Sequence, residues 1–294
     1  MSAIASFYKN KTIFISGGTG FIGKLLIEQL LRKTEPRRLY LLIREKKGES
    51  SYVRKEKIFQ NVVFDHLKAT KPNYLEKVST IPGDLTKKNL GISEEDIERI
   101  CDETEVVIHG GATVSMSELL KPVIDVNLKG SLSMMALGQK IKNLQAFALI
   151  STAYSFCPYP EIKEELNNIH IKPDELINLV DNLTEEFIFL NTSILGKWPN
   201  PYTLSKALVE TAVKDHAKDL PLAIIRPSII MGTYSEPVPG WIDNYYGPTG
   251  YMSAFATGIV RPVNVNPKEE ADLVPGDMVA SCTLAAAYKT SLSQ

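Results

Sequence analysis

The chain has 294 residues, 44% of them hydrophobic and 23% charged, with a formal net charge of −1. That is enough chain to bury a core of ordinary size, and the near-neutral balance excludes both a basic nucleic-acid-binding field and an acidic disordered tail. Three widely spaced cysteines (Cys101, Cys157 and Cys282) make neither a disulfide framework nor a zinc pattern, and they read as idle thiols of a reducing compartment. No metal site is expected.

The opening run MSAIASFYKNKT lacks the apolar core of a secretory signal. No stretch reaches the ~18 uninterrupted apolar residues of a membrane span, so the chain as given reads as soluble and cytosol-facing. Short β-rich runs then alternate with longer helical patterns, which predicts βαβ units and a doubly wound parallel sheet of α/β class. TIFIS, from Thr12 to Ser16, is the first strand. Phe21 to Lys33 follows as a helix, with Phe21, Leu25, Leu26 and Leu30 at helical spacing. Leu39 to Ile43 is a buried second strand, and a basic, mixed helix is expected over about Tyr52 to Ala69.

Val78 to Pro82 and Val106 to His109 give the third and fourth strands. Ser117 to Lys142 is predicted mainly helical, with Pro122 near its start, and Ala146 to Ser151 is the fifth strand. Pro201 to Lys218 is a long helix and Leu222 to Arg226 the sixth strand. The pattern is interrupted at about 156–199 and from 232 to 294. Ligands of open α/β sheets sit beyond the carboxyl ends of the strands, so these segments are expected to cover substrate. The whole of 1–294 reads as a single NAD(P)-binding Rossmann domain with no linker.

Strand one runs directly into Gly17, Gly18, Thr19, Gly20, Phe21, Ile22 and Gly23. This fits G-x-G-x-x-G through Gly18, Gly20 and Gly23, and G-x-x-G-x-x-G through Gly17, Gly20 and Gly23. Glycines permit a tight turn and close backbone approach to a pyrophosphate, and the next helix offers its free N–H groups to the phosphates. A glycine cluster alone is a weak signal; between a buried strand and an amphipathic helix it is a strong one.

The end of strand two carries an acidic residue where a ribose 2′-hydroxyl is bound. Here Arg44 stands about twenty residues past the last glycine, with Lys46, Lys47 and Arg54 nearby. A guanidinium suits a 2′-phosphate, which predicts NADPH over NADH. Asp84 and Leu85 follow strand three, where the carboxylate could accept a bond from the adenine amine. Gly111 and Ala112 follow strand four, where small residues let the cofactor lie against the backbone. His109 reads as a packed core histidine. Asn127 is expected to bond an adjacent backbone group near the active site, and Pro227, after the last strand, to border the cofactor.

Y-x-x-x-K places two side chains on one helical face. Roughly one match is expected by chance in a chain of this composition, and there are two, Tyr159/Lys163 and Tyr202/Lys206. The first has Pro160 after its tyrosine in an irregular stretch, whereas the second opens a long helix between strands five and six. A hydride delivered to a carbonyl carbon leaves charge on oxygen, which calls for a proton donor. Tyr202 is assigned that task, with Lys206 lowering its pKa and holding the nicotinamide ribose. A hydroxyl at the end of strand five would hydrogen-bond the substrate oxygen. Side chains alternate along a strand, so only one of Ser151 and Thr152 should enter the cleft, and Thr152 is chosen.

These residues form the pattern of the extended short-chain dehydrogenase/reductases. Within that superfamily SGGTGFIGKLLIEQLLR, PGDL, HGGATV, ISTAYS, LGKWPNPYTLSKALVE, IIRPSIIMGTYSEPVPGWIDNYYGPTG and ADLVPGDMV resemble the alcohol-forming fatty acyl-CoA reductases of the male-sterility type, insect members above all. The PGWIDN–GPTG run is the most specific of these, and the resemblance covers nearly the whole chain in order. Ser16 departs from the threonine usual there, Gly111 from an alanine, and Met116 and Ser117 from an aromatic and an acidic residue.

The resemblance implies reduction of a long-chain fatty acyl-CoA to a primary alcohol by two NADPH, through a hemithioacetal and an aldehyde, with Tyr202 as the proton donor. It also implies a place at the peroxisomal or endoplasmic-reticulum surface. By the same resemblance, family members continue past this length into a helical C-terminal domain, often with a membrane segment. Two other readings stay open on the residues alone: an epimerase or dehydratase that retains its cofactor, and a non-catalytic NADP(H)-binding protein using the fold without the chemistry.

Overall fold

A computed structural model describes residues 2–167, 169, 171–184, 186–187, 192–266 and 268–293. Six parallel strands form one sheet: β1 (Thr12–Ser16), β2 (Arg38–Ile43), β3 (Val78–Pro82), β4 (Val106–His109), β5 (Ala146–Ile150) and β6 (Leu222–Ile225). Their order is β3-β2-β1-β4-β5-β6. Chain order therefore reverses between β1 and β4, whose carboxyl ends flank the crevice of the sheet. In their parallel register Ser16 stands opposite His109.

Alternation along each strand divides the core in two. Ile13 and Ile15 of β1 face one side, and Phe14 faces the other. The helices, in chain order, are α1 (Ala3–Tyr8), α2 (Phe21–Lys33), α3 (Ser51–Phe59), α4 (Asp65–Thr70), α5 (Glu94–Glu103), α6 (Leu120–Val123), α7 (Gly130–Gly138), α8 (Pro173–Asn182), α9 (Pro201–His216), α10 (Pro248–Ala256) and α11 (Gly276–Ser291). Leu25, Leu26 and Leu30 of α2 pack with Ala280, Leu284 and Ala287 of α11 on the Ile13/Ile15 face. Ile100 of α5, Met134 of α7, and Leu204 and Leu208 of α9 pack on the other. Each leucine, isoleucine or methionine among them, when fully buried, contributes roughly 1.5–3 kcal/mol relative to exposure.

Several expectations change. The helix expected over Tyr52 to Ala69 is two, α3 and α4, because the Asn61 side chain accepts from the Val63 amide at 3.1 Å and turns the chain between them. The helix expected over Ser117 to Lys142 begins at Leu120, and between α6 and α7 it contains a π-helical turn, Ile124–Lys129. Ser93 accepts from the Asp96 amide, and an acidic first turn follows, so α5 is well capped.

The segment 232–294 is not all cover. A short parallel pair, β7 (Ile229–Met231) with β8 (Leu273–Pro275), leads into α11, which lies on the sheet as core. Residues 168, 170, 185, 188–191, 267 and 294, in the two segments expected to cover substrate, lie outside the described residues. Among the described residues no helix is long and apolar enough to cross a membrane.

Candidate active site at the crevice of the sheet

The turn after β1 can be built only from glycine at two points. Gly17 has φ +79°, and a Cβ there would meet the Gly110 carbonyl carbon at 2.6 Å. A Cβ on Gly23 would lie 2.1 Å from the Gly17 oxygen. The cradle is thus closed by backbone against backbone, and α2 leaves it with Gly20 as N-cap and no side-chain cap. Its first N–H groups, beginning at Phe21 and Ile22, are those an anion would take. A Cβ on Gly18 would stand 3.2 Å from Ile27 Cδ1, and Thr19 is half-buried on the turn. These residues fit a dinucleotide pyrophosphate.

Around this cradle the other predicted residues fall into place unevenly. Gly111 is tight: a Cβ there would stand 2.8 Å from Leu85 Cδ1. Ala112 is half-buried beside it. Asp84 Oδ1 accepts from the Thr86 amide and hydroxyl, both at 2.9 Å, so that oxygen closes a local turn. The Arg54 guanidinium donates to the Arg44 carbonyl. Burial lowers the Arg54 pKa and the Arg44 charge lowers it further, and the Arg54 guanidinium sits on the Arg44 backbone at the end of β2. The Pro227 carbonyl accepts from the Ala153 amide at 2.9 Å and holds the chain after β5 to the end of β6.

The second Y-x-x-x-K pair lies at the start of α9. The helix begins with Asn200, whose side chain accepts from the Thr203 amide at 2.9 Å, and with Pro201 in its first turn. Tyr202 and Lys206 are thereby fixed one turn apart. The Tyr202 phenol lies beside the Thr152 hydroxyl, which pulls its pKa down; that hydroxyl donates to the Pro227 carbonyl at 3.5 Å and accepts from the Tyr154 amide at 3.2 Å. The Lys206 ammonium is buried and donates to the Ile150 carbonyl at 2.9 Å. Burial lowers its pKa to about 8, against the opposing pull of the Glu210 carboxylate.

One electrostatic expectation is corrected. Tyr202 stands above its ordinary pKa, because burial outweighs the Thr152 hydrogen bond that pulls it down. The lysine charge does not set it; the ammonium is engaged with Ile150 instead. Such a phenol keeps its proton through the neutral range.

The first pair is elsewhere. Tyr159 is partly exposed in a non-helical stretch, and the Lys163 carbonyl accepts from Arg226 at 2.7 Å. Ser151, the rejected hydroxyl, donates to Glu210.

Residues that sequence reasoning did not connect complete the site. Glu210 is fully buried and takes Arg226 Nε at 2.9 Å, while the same guanidinium donates to the Glu165 carbonyl at 3.0 Å. The 156–199 segment is therefore clamped to α9 near its middle. Trp241 stacks on Phe21 with ring centroids 5.1 Å apart, and Asp243 pairs with Lys24 at 2.6 Å. The PGWIDN run thus lies directly on the helix that follows the glycine turn.

Asn127, in the π turn, accepts from the Thr113 amide at 2.9 Å and donates to the Thr113 carbonyl at 3.1 Å. Its amide also donates to Ser205 Oγ at 2.9 Å. An open hollow of 1060 Å³ beside β6 is lined by neither Tyr202 nor Lys206 and stands apart from this arrangement. Among the described residues no cluster of His, Cys, Asp and Glu could hold a metal ion.

Comparison with known proteins identifies the family. The chain is 38% identical over 288 residues to "Fatty acyl-CoA reductase wat" of Drosophila melanogaster, covering 98% of this chain and 56% of that protein. It is 37% identical over 297 residues to "Fatty acyl-CoA reductase 1" of Mus musculus, covering 100% of this chain and 58% of that protein. The chain thus spans a little over half the length of these relatives.

Among solved structures, the reductase domain of a nonribosomal peptide synthetase from Mycobacterium tuberculosis superposes with a TM-score of 0.70 at 20% identity, covering 99% of this chain and 68% of that one. A UDP-N-acetylglucosamine 4-epimerase from Methanobrevibacter ruminantium superposes at 0.60 and 16% identity, covering 95% of this chain and 73% of that one. These two show the fold, an extended short-chain reductase or epimerase type of Rossmann sheet. The NAD-binding family described as male sterility protein matches residues 15–283. Matched over residues 15–283 and sharing the relatives' sequence over nearly its whole length, this chain belongs to the NAD-binding family described as male sterility protein.

Proposed function

We propose that the chain carries the catalytic part of an NADPH-dependent fatty acyl-CoA reductase that takes a long-chain acyl thioester to the primary alcohol through the aldehyde. The observation that carries this reading is the placement of Tyr202 beside Thr152, one helical turn from a buried Lys206 whose ammonium donates to the Ile150 carbonyl at the end of β5, at the crevice faced by the glycine cradle. The names of the relatives supply the substrate class. NADPH is preferred to NADH because Arg44 and Arg54 stand together at the end of β2, where a 2′-phosphate would lie.

When bound, the nicotinamide supplies hydride to the carbonyl carbon. Thr152 and Tyr202 hold the carbonyl oxygen with two hydroxyls, and Tyr202 passes its proton to that oxygen as charge develops. Lys206 holds the nicotinamide ribose and keeps a positive charge beneath the site. The thioester then gives a hemithioacetal, which releases coenzyme A and leaves an aldehyde. The same residues protonate the aldehyde oxygen in the second reduction. Two NADPH and two protons are consumed for each alcohol and each free coenzyme A formed.

The run from Asn244 to Val260 has no charged residue, and Tyr251, Met252 and Phe255 are exposed on α10, which buries none of its side chains. An apolar surface of this kind suits an alkyl chain. Such a reductase would work at the peroxisomal or endoplasmic-reticulum surface, where its water-insoluble product can leave. Incubation with NADPH and a panel of acyl-CoAs, followed by lipid analysis, tests the reading: alcohol with stoichiometric NADPH oxidation supports it. Redox-neutral conversion of a nucleotide sugar would place the chain with the epimerases instead.

A further inference from the structure

His109 is buried at the crevice and takes no part in the chemistry described above. Its Nδ1 lies 2.6 Å from Ser16 Oγ and its Nε2 2.8 Å from Ser131 Oγ. Partners on either side fix its tautomer. Ser131 donates its one hydroxyl hydrogen to the Asn127 carbonyl at 2.5 Å, so it can only accept from the imidazole, and Nε2 must carry the hydrogen. Nδ1 then accepts from Ser16, and Ser16 accepts in turn from the Gly111 amide at 3.2 Å.

On the far side, Asn127 donates to Ser205, and Ser205 donates to the Tyr202 carbonyl at 2.7 Å. Every polar atom of this set has a partner, and Ser16, His109, Ser131, Asn127 and Ser205 are all buried. Burial holds the imidazole pKa down to about 3, with the nearby Lys206 charge adding to the effect, so the ring stays neutral.

We propose that His109 is a positioning residue that ties the backbone of the glycine turn to the π turn carrying Asn127, and through it to the backbone of Tyr202. Ser16 immediately precedes Gly17, and the Gly111 amide it holds belongs to the opposite wall of the cradle. The Ser16 link therefore sets the spacing of the two walls that receive the cofactor. The Ser131 link fixes the Asn127 carbonyl, and Asn127 fixes both Thr113 and Ser205. One imidazole couples the cofactor floor to the proton donor, with a separate nitrogen for each. Such a network rigidifies because every member is satisfied.

The inference rests on the reading of this crevice as a reductase site. It is tested in the full chain with His109→Asn, His109→Gln and His109→Leu, each shown to melt cooperatively. Asparagine retains an acceptor where Nδ1 stands; glutamine retains a donor where Nε2 stands. NADPH affinity is read by fluorescence titration, and kcat by NADPH oxidation with palmitoyl-CoA.

His109→Asn should bind NADPH within about twofold of the parent and lose roughly tenfold in kcat, the effect of one buried hydrogen bond. His109→Gln should show the reverse split, and His109→Leu both losses. If a variant does not fold, Ser16→Ala replaces the glutamine arm and Ser131→Ala the asparagine arm, since they cut the same two links from the other side. Equal changes in the two arms, or an unaffected leucine variant, overturn the proposal. A parent that binds NADPH yet reduces no acyl-CoA refutes the reductase reading alone, and the affinity contrast between the two arms still decides the role of His109.

Discussion

Ser151 and Thr152 are adjacent immediately after β5, and their hydroxyls have different partners. Ser151 donates to the buried Glu210 carboxylate, whereas the Thr152 hydroxyl donates to the Pro227 carbonyl at 3.5 Å and lies beside the Tyr202 phenol. Strand alternation separates a structural hydroxyl from one that faces the reacting oxygen. Thr152→Ala should lower kcat by about 10²–10³, the cost of losing one donor to a developing oxyanion, and lower stability only by the lost cap on the Tyr154 amide, about 1 kcal/mol. Ser151→Ala should lower stability by about 1–2 kcal/mol and leave kcat within a few-fold. Steady-state kinetics with thermal melts of both variants check the contrast, and an interchange of the two phenotypes would contradict the assignment.

Glu210 makes a second, structural prediction. Its carboxylate is fully buried and satisfied by Ser151 and Arg226. Removing one member of a buried pair leaves the other charge uncompensated, which costs about 3–5 kcal/mol. Arg226→Leu should therefore destabilise strongly and release the segment that it holds through the Lys163 and Glu165 carbonyls. The double variant Glu210→Leu with Arg226→Leu should regain much of the loss. Urea denaturation of Glu210→Leu, Arg226→Leu and the double variant measures the coupling.

The pH profile follows from two opposite shifts. Burial keeps the Tyr202 phenol above its ordinary pKa, so the donor remains protonated well into alkaline solution. Burial brings the Lys206 ammonium down to about 8, so its charge is lost first. Turnover should hold through neutral pH and fall above about 8, as the lysine discharges. The same shift makes charged Lys206 a cost to the fold below about pH 8, relieved as pH rises toward the ordinary lysine value of 10.5. Lys206→Arg, if folded, should lose the alkaline fall because guanidinium keeps its charge. A parent profile limited only by an acidic transition would disagree.

Cofactor choice depends on the basic pair. Arg44 is exposed at the end of β2, and Arg54 bonds its backbone. Arg44→Glu should raise the KM for NADPH by roughly tenfold or more, the size of one lost charge-assisted contact of ~1.5–3 kcal/mol, and spare NADH. Parallel KM measurements with both cofactors decide it, and equal effects on the two would remove Arg44 from the 2′-phosphate.

Much of this was legible in the sequence, for identifiable reasons. Buried parallel strands such as TIFIS and LYLLI are continuous apolar runs, and the glycine turn follows the first with no gap. Tyr202 and Lys206 could be chosen over Tyr159 and Lys163 because only the later pair has helical surroundings. What stayed hidden depends on register or on remote partners. Ser16 and His109 are 93 residues apart, and only the pairing of β1 with β4 sets them side by side. Nothing local marks the π turn at Asn127, and the core role of α11 shows only in its packing on α2. The upward shift of Tyr202 likewise comes from burial, which residue spacing does not report.

The most direct measurement is lipid product analysis of the parent and Tyr202→Phe, each given NADPH and palmitoyl-CoA, with NADPH binding followed in parallel. The account predicts hexadecanol from the parent at two NADPH oxidised per alcohol, and no detectable alcohol from the variant despite unchanged NADPH affinity. Equal alcohol formation by the two proteins would contradict it.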